Sequence, residues 1–308
     1  MKMTCKFLRL TALFISLLFT VSLFAQTVSE NPMLLGKITK DSLMQNPYNE
    51  WFNDGYRSYT TNRDVLAQLL KADTKDISIN IFLGTWCSDS HREIPRFLKI
   101  LDEMGMPSDK ISMVAVSNKS GAIKQSPTGE EKGINIFRAP TMIISKNGKE
   151  INRIVEFPVY SLENDLLTIL SDCTYSPNYH SYPIIADWLA NGTLIDKNVS
   201  TDGLAEQLRY KIKNISEITA VASVLESQNK IQEASVLCNI AYTLYPDNSN
   251  YYPLYIRISE KNREYDDAIF LIKKSLSKTT DLKEIESLLD LHDKIKLELS
   301  QTNRDADR

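Results

Sequence analysis

Residues 77–101, ISINIFLGTWCSDSHREIPRFLKIL, decide the fold of this chain. The stretch begins with a short apolar run rich in β-branched residues, which predicts a strand, and it turns at Gly84-Thr85. After the turn, apolar residues recur at helical spacing. A strand that turns directly into a helix places Cys87 at the helix N-terminus. There the unpaired backbone N–H groups and the positive end of the helix dipole stabilise a thiolate.

Helices and strands alternate around this stretch. The expected elements are a helix capped by Thr61 or Asn62, strands at 77–83 and 111–116, a helix from Cys87 to about Met104, a surface loop at 117–133, paired strands at 141–145 and 150–156, and a helix capped by Ser161. The two paired strands flank Asn147-Gly148, the dipeptide most typical of a two-residue hairpin. This order predicts a central mixed sheet covered by helices.

Two motifs resemble the thioredoxin family. WCSDS at 86–90, before a helix with an early proline, is similar to the family's active-site segment, and RAPT at 138–141 is similar to its cis-proline loop. The resemblance covers roughly residues 60–172. It implies a thioredoxin-like α/β domain in which Cys87 is the nucleophile. It also implies that Trp86 shapes the surface, and that Ala139 and Pro140 pair with an extended polypeptide.

The chain departs from the family at the second cysteine. The family's redox motif is Cys-x-x-Cys, and here Ser90 stands in the second position. The family often carries a buried acid six residues before the first cysteine, where this chain has Ile81. Thiol–disulfide exchange passes through a mixed disulfide, which a serine hydroxyl cannot resolve. Outside the family role, Ser90 is a helix-start hydroxyl that bonds the backbone or Cys87.

Two neighbours of Cys87, Asp89 and His91, are candidate modulators of the charge on its sulfur. The carboxylate of Asp89 opposes a thiolate, whereas His91 and Arg92 can offset that effect. The alternative for His91 and Arg92 is a solvated first helical turn.

We expect a monothiol protein that forms mixed disulfides with cysteine-containing exported proteins or small thiols, or that isomerises their disulfides. The rival interpretation is a redox-inactive binding module whose helical domain docks a protein partner. A third, peroxide reduction, needs a peroxidatic cysteine environment that the sequence does not show. No cofactor, metal site or nucleic-acid partner is predicted, since the net charge is −3 and the three histidines are scattered.

The N-terminus predicts export. Three basic residues precede an apolar run, and a cleavage point follows at about Ala25, so residues 1–25 resemble a secretory signal peptide. The mature protein is then expected in the periplasm or outside the cell. Because Leu23 is not a small residue, the alternative is an uncleaved segment that anchors the protein to a membrane.

The remaining chain divides into several parts. We expect an N-terminal extension packing on the sheet (26–60), the thioredoxin-like domain (61–172), a connector with one short helix at 184–190 (173–203), an all-α domain (204–300) and a polar, frayed tail (301–308). Within the all-α domain, residues 215–282 repeat weakly at 34 residues, because KIQEA at 230–234 corresponds to EYDDA at 264–268. The period resembles tetratricopeptide repeats. The alternative is a plain helical hairpin bundle in which the periodicity arises by chance.

An exported protein folds in an oxidising compartment, where cysteines can form disulfides. After removal of residues 1–25, three cysteines remain, so at least one thiol is free or paired with another molecule. Cys173 and Cys238 either bridge the two halves or are two buried thiols, and the second interpretation is favoured.

Overall fold

A five-stranded mixed sheet occupies the first half of the protein. The computed structural model describes residues 32–306. The strands are β1 (Gly36–Ile38), β2 (Ile77–Leu83), β3 (Ile111–Ala115), β4 (Thr141–Lys146) and β5 (Lys149–Val155). Their order across the sheet is β1-β3-β2-β4-β5; β2 and β3 are parallel, and the other neighbouring pairs are antiparallel. β2 therefore lies at the centre, as its continuous apolar run predicts.

Helices flank this sheet and then form a C-terminal helical region. Those around the sheet are α1 (Lys40–Leu43), α2 (Asn49–Ser58), α3 (Arg63–Leu69), α4 (Ser88–Glu103) and α5 (Leu162–Leu170). Those of the helical region are α6 (Ser181–Asn191), α7 (Thr201–Arg209), α8 (Ser216–Ser227), α9 (Ile231–Leu244), α10 (Tyr252–Lys261), α11 (Tyr265–Leu276) and α12 (Leu282–Ala306). None of the helices between residues 32 and 306 combines the length and the apolar character of a membrane span. The predicted signal peptide lies outside the described residues.

Strand β2 is buried on both faces near its carboxyl end. Ile79 and Ile81 are fully buried among the helices on one face of the sheet. Phe82 points to the other face, where it packs with Ile136 and Ala139 of the segment that precedes β4. The alternation of β2 thus places a helical layer on one side and an irregular segment on the other.

Cap and turn residues in the sequence explain where the elements after β2 begin and end. α4 begins after Cys87, whose backbone is extended, and it ends before Gly105, whose φ is +67°. In the hairpin, Asn147 and Gly148 both have positive φ, as a two-residue turn of this kind requires. Ser161 caps α5 by accepting a hydrogen bond from the backbone N–H of Asn164. The predicted strand, helix and hairpin are confirmed.

The N-terminal segment differs in part from its prediction. It supplies β1, a three-residue edge strand that the sequence pattern does not reveal. The aromatic helix α2 packs on α4, and its Phe52 belongs to the same core cluster as Ile79 and Ile81 of β2. The two helices approach so closely that a Cβ on Gly55 would lie 3.1 Å from the Pro95 side chain.

The 34-residue spacing in the helical region corresponds to two helix pairs with the same turn. Asn229 in the α8–α9 turn and Arg263 in the α10–α11 turn both have positive φ, at +60° and +61°. Ala234 and Ala268, one turn into α9 and α11, are both fully buried. The turn conformation thus recurs at the same spacing as the sequence.

Three other expectations need correction. The connector helix, expected at 184–190, spans Ser181–Asn191. The polar tail is not frayed at Gln301, because α12 continues to Ala306. Cys173 is exposed rather than buried, and it is not bridged to the fully buried Cys238.

Two adjacent leucines at the end of α3 test this core directly. Leu69 is 1% exposed and Leu70 is 58% exposed. We expect Leu69→Ala to lower the free energy of unfolding by about 2–5 kcal/mol, since it leaves a cavity among packed side chains. The matched variant Leu70→Ala should change it by less than roughly 0.5 kcal/mol. Urea unfolding measures both, and equal losses would contradict the packing described for α3.

Candidate functional site

The turn between β2 and α4 is closed by two hydrogen bonds, between residues three and six positions apart. The backbone N–H of Gly84 donates to the hydroxyl of Ser90 (3.1 Å), and the backbone N–H of Cys87 donates to the carbonyl of Gly84 (2.9 Å). A Cβ on Gly84 would lie 2.5 Å from the ring of Trp86. Glycine is therefore required where the indole folds back over the turn.

Cys87 faces the loop that carries Ala139. Its side chain is half-buried, and its thiol donates to the carbonyl oxygen of Ala139 at 3.1 Å. The Ala139–Pro140 peptide bond is cis, as the resemblance implies. The carbonyl of Pro140 accepts a hydrogen bond from the backbone N–H of Glu156 at 2.7 Å, which joins this loop to the end of β5. The structure thus brings together Cys87, Ala139 and Pro140.

Trp86 forms one wall beside the thiol. Its indole Nε1 donates to the carbonyl oxygen of Val116 at 2.8 Å, which fixes the ring against the end of β3. The ammonium group of Lys124 lies 4.3 Å from the centroid of the ring. The ring therefore holds a cation next to Cys87 through its electron-rich face.

Ser90 is fully buried, and its hydroxyl accepts the Gly84 N–H. Of the two roles that the sequence left open outside the family, bonding to the backbone is the one present. The residue in the second position of the Cys-x-x-Ser motif stabilises the turn that presents Cys87.

The two candidate modulators are held by other partners. His91 is half-buried, stacks on Trp51 with ring centroids 4.3 Å apart, and lies 2.8 Å from the carbonyl of Thr85 through Nε2. A carbonyl only accepts, so Nε2 carries a proton. The solvated first turn is thus wrong for His91. Asp89 forms an ion pair with Arg92 at 2.7 Å, which offsets the carboxylate near the thiol.

Three charged residues near Cys87 were not predicted as site residues: Lys124, Arg138 and Glu156. Burial lowers the pKa of Lys124 to about 8, with Arg138 acting in the same direction and Cys87 and Glu156 opposing it. Burial raises the pKa of Glu156, although the guanidinium of Arg138, 3.5 Å away, opposes the shift. The thiol therefore lies in a partly desolvated group of opposite charges.

Arg138 connects this group to the helical region. Its guanidinium donates to the hydroxyl of Tyr182 in α6 (2.8 Å) and to the backbone carbonyl of Ser216 at the start of α8 (2.9 Å). It also lies over the ring of Tyr179, 4.9 Å from its centroid. The helical region thus contacts the residue that directly precedes Ala139, so both halves of the protein position the site.

Sequence signals for the three charged residues differ. Arg138 adjoins the Ala139-Pro140 motif and could have been found there. Lys124 lies in a loop rich in Ser, Gly and Lys, a composition typical of exposed segments, so its burial has no local signal. Glu156 directly follows β5, and it reaches the site only because its backbone N–H bonds to the carbonyl of Pro140.

The other thiols of the described chain have different environments. Cys238 is fully buried, and burial raises its pKa, so it is unreactive. Cys173 is exposed at the end of α5. Within residues 32–306, no group of three histidine, cysteine, aspartate or glutamate side chains is arranged to hold a metal ion.

A separate groove of about 520 Å³ runs between edge strand β5 and α6. Aromatic and charged side chains line it, among them Phe137, Tyr175, Arg153 and Asp187. Cys87 and Trp86 are not part of its lining. The groove is thus distinct from the surface at the thiol.

Comparison of the chain with known protein families, curated proteins and solved structures finds no match. The geometry around Cys87 is therefore the basis for the function proposed below.

The half-buried ammonium of Lys124 should affect the pH dependence of stability. Since its pKa is lowered from 10.5 to about 8, the folded protein holds fewer protons than the unfolded chain between these values, and stability rises with pH across that window. Lys124→Met is expected to raise the free energy of unfolding at pH 7 by about 1–3 kcal/mol, because it removes the cost of burying the charge. Urea unfolding at pH 7 and pH 10 measures the difference from the natural chain, which should shrink at the higher pH.

Lys132→Met provides the matched control for this test. Lys132 is exposed in the same loop segment, so its replacement should change stability by less than roughly 0.5 kcal/mol at either pH. A gain for Lys124→Met that is the same at both pH values would show that the charge of Lys124 is not the cause.

Proposed function

We propose that this chain is a monothiol thioredoxin-like protein that forms mixed disulfides with cysteine-containing polypeptides or isomerises their disulfides. The observation that carries the proposal is the contact of Cys87 with Ala139. The sulfur is partly exposed, lies at the N-terminus of α4, and is 3.1 Å from a backbone carbonyl of the neighbouring loop. A nucleophile and a backbone edge for a partner thus lie side by side.

The topology supports the thioredoxin-like interpretation. A parallel strand–helix–strand unit, β2–α4–β3, is followed by an antiparallel hairpin, β4–β5, and a final helix, α5. This is the order of elements that the resemblance implies for residues 61–172. The repeated turns of the C-terminal region likewise support a tetratricopeptide-like arrangement of its helix pairs.

The proposed reaction is thiol–disulfide exchange at Cys87. The Cys87 thiolate attacks one sulfur of a partner disulfide; a new S–S bond forms, and the departing sulfur leaves as a thiolate with its electron pair. The proton of the Cys87 thiol passes to solvent. No oxidant is needed, because the partner disulfide is exchanged for a mixed disulfide.

The same step changes the hydrogen bonding of Ala139. Its carbonyl accepts the Cys87 S–H before reaction, and this donor is lost when the sulfur becomes part of a disulfide. Ala139 is 3% exposed, so an unpaired carbonyl there costs about 1–3 kcal/mol. A backbone N–H of an extended partner can replace the lost donor, and we infer that the site favours a polypeptide over a small thiol that lacks such a group.

Ser90 leaves the mixed disulfide without an internal resolving thiol. Its hydroxyl is buried and bonded to Gly84, so release requires an external thiol or a second cysteine of the partner. This property suits isomerisation or stable capture of a partner, and it excludes delivery of two oxidising equivalents by the site alone.

The proposal includes export by residues 1–25. An oxidising compartment supplies the disulfide-bonded polypeptides that the reaction consumes. The partners proposed for Cys87 are accordingly exported proteins with cysteines.

A peptide probe tests the proposed function. The test protein is the full chain with Cys5→Ser and Cys173→Ser, in which Cys238 is buried. We expect an extended peptide with one activated disulfide to form a mixed disulfide with Cys87. The same peptide with N-methylated residues beside its cysteine should form it about tenfold less favourably, because it cannot donate to Ala139. Mass spectrometry of the intact protein quantifies both adducts, with Cys87→Ser as the control that forms none.

Two outcomes would contradict the proposal. Absence of an adduct with either peptide, in a folded protein that still retains the peptide non-covalently, would support the redox-inactive binding module instead. Equal amounts of mixed disulfide with both peptides would contradict the pairing of the peptide backbone with Ala139. Cys87 would then be a reactive thiol that does not distinguish a polypeptide from a small thiol.

Ser90→Cys tests the position assigned to the second motif residue. Residues three apart at a helix start share one face, so the introduced thiol should bond to Cys87 under mild oxidation. Stability of the reduced variant should fall by about 1 kcal/mol, because sulfur is a weaker acceptor for the Gly84 N–H. Thiol counting under denaturing conditions, before and after oxidation, detects the bond.

Ser88→Cys is the control for this experiment. It places an exposed thiol directly beside Cys87 in sequence, and adjacent cysteines do not satisfy the usual disulfide geometry. A well-folded Ser90→Cys variant whose two thiols stay free, as in Ser88→Cys, would refute the geometry assigned to the motif.

A further inference from the structure

Lys124 is held next to the thiol by its own loop. The Lys124 loop, residues 117–125, is closed by two backbone bonds: the N–H of Lys124 donates to the carbonyl of Ser117, and the N–H of Ser117 donates to the carbonyl of Gln125. Lys124 has a φ of +58°, a conformation that non-glycine residues seldom adopt. The side chain is thereby directed over the ring of Trp86, where its ammonium lies 4.3 Å from the centroid.

The helical region fixes this loop from the other side. The backbone N–H of Ile123, the residue before Lys124, donates to the hydroxyl of Ser227 at the end of α8 (3.2 Å). Ile123 also packs against the apolar core of the helical region. Lys124 is therefore positioned by contacts on both sides of the loop.

The ammonium of Lys124 is not neutralised by an ion pair among the described residues. The charged and titratable groups that act on it are Cys87, Arg138 and Glu156. Glu156 pairs with Arg138 at 3.5 Å, and Asp89 pairs with Arg92 at 2.7 Å, so these carboxylates already have partners. A half-buried cation without its own carboxylate is costly, which points to a role in the site.

We propose that Lys124 supplies the positive charge that stabilises the thiolate of Cys87 during disulfide exchange, an inference that rests on the function proposed above. An opposite charge near an acid favours its ionised form. The ammonium of Lys124 lies over the face of Trp86, the residue before Cys87, and the ring keeps it in place. Lys124 transfers no electrons and forms no bond; it raises the fraction of Cys87 present as the nucleophile.

The pH range of this effect follows from the lysine itself. Burial lowers the pKa of Lys124 to about 8, so the side chain is charged at neutral pH and loses its charge as the pH rises through that value. The groups that modulate the charge from neighbouring elements are Arg138 before β4 and Glu156 after β5. The assistance given to Cys87 is therefore present below about pH 8 and lost above it.

Alkylation with two reagents tests the proposal. In the Cys5→Ser, Cys173→Ser chain, we expect Lys124→Met to lower the rate of Cys87 modification by iodoacetamide at pH 7 about tenfold. Lys124→Arg, which keeps the charge, should stay within about twofold, and Lys132→Met should have no effect. Peptide mapping by mass spectrometry measures Cys87 specifically.

The ratio of iodoacetate to iodoacetamide rates gives a readout that altered packing alone would not produce. The same thiolate attacks both reagents, so the amount of thiolate cancels from the ratio of the two rates. The ratio therefore reports the charge near Cys87 that the anionic reagent meets. The ratio should fall through about pH 8 in the natural chain as Lys124 loses its proton. It should stay high in Lys124→Arg and low in Lys124→Met across the same range.

Three results would overturn the proposal: an unchanged rate in Lys124→Met at pH 7, a rate in Lys124→Arg as low as in Lys124→Met, or a faster rate in Lys124→Met, which would make Lys124 a cover over the thiol. The proposed function is tested separately by the peptide adducts. If Cys87 depends on Lys124 but forms no peptide adduct, only the polypeptide function fails. If Lys124→Met forms that adduct as fast as the natural chain, only the role of Lys124 fails.

Discussion

The hydrogen bond from the Gly84 amide to the buried hydroxyl of Ser90 constrains the whole site. Strand β2 is buried on both faces, and the chain must turn into α4 within four residues, so the amide at the turn has no access to water. Leaving it unpaired would cost about 1–3 kcal/mol. Ser90 supplies the acceptor from the first turn of α4, at 3.1 Å. A serine in this position cannot form a disulfide with Cys87, and it stabilises the turn that presents Cys87.

What could be predicted from the sequence depended on local signals. The β2 run, the α4 periodicity and the Asn147-Gly148 turn each lie within a few residues, and each element forms where expected. Strand β1 has only three residues and forms by pairing with β3, which lies far along the chain. A stretch this short shows no alternation of apolar and polar residues from which a strand could be predicted. The position of Lys124 likewise depends on a distant contact, because the neighbouring Ile123 bonds to Ser227, about a hundred positions away and beyond any local pattern.

The helical region takes part in the site without contributing a reacting group. Arg138 reaches from the residue before Ala139 to Tyr182 and Ser216, while Ser227 holds the Lys124 loop. Two segments near Cys87 are thus fixed by the same set of helices. Any shift of α8 against the sheet would move the carbonyl that faces the thiol and the cation beside it together. This arrangement links the helical region to the chemistry of Cys87 through direct contacts rather than through a flexible tether.

The monothiol function that we propose places two demands on one sulfur, and we propose that the charge of Lys124 serves both. Cys87 must first attack as a thiolate, and it must later leave as a thiolate when an external thiol resolves the mixed disulfide, because Ser90 cannot do so. A nearby cation favours the thiolate before attack and again as it departs. The serine at position 90 thus gives the proposed site a physical reason to keep a half-buried lysine over Trp86, despite the stability that the protein gives up to hold it there.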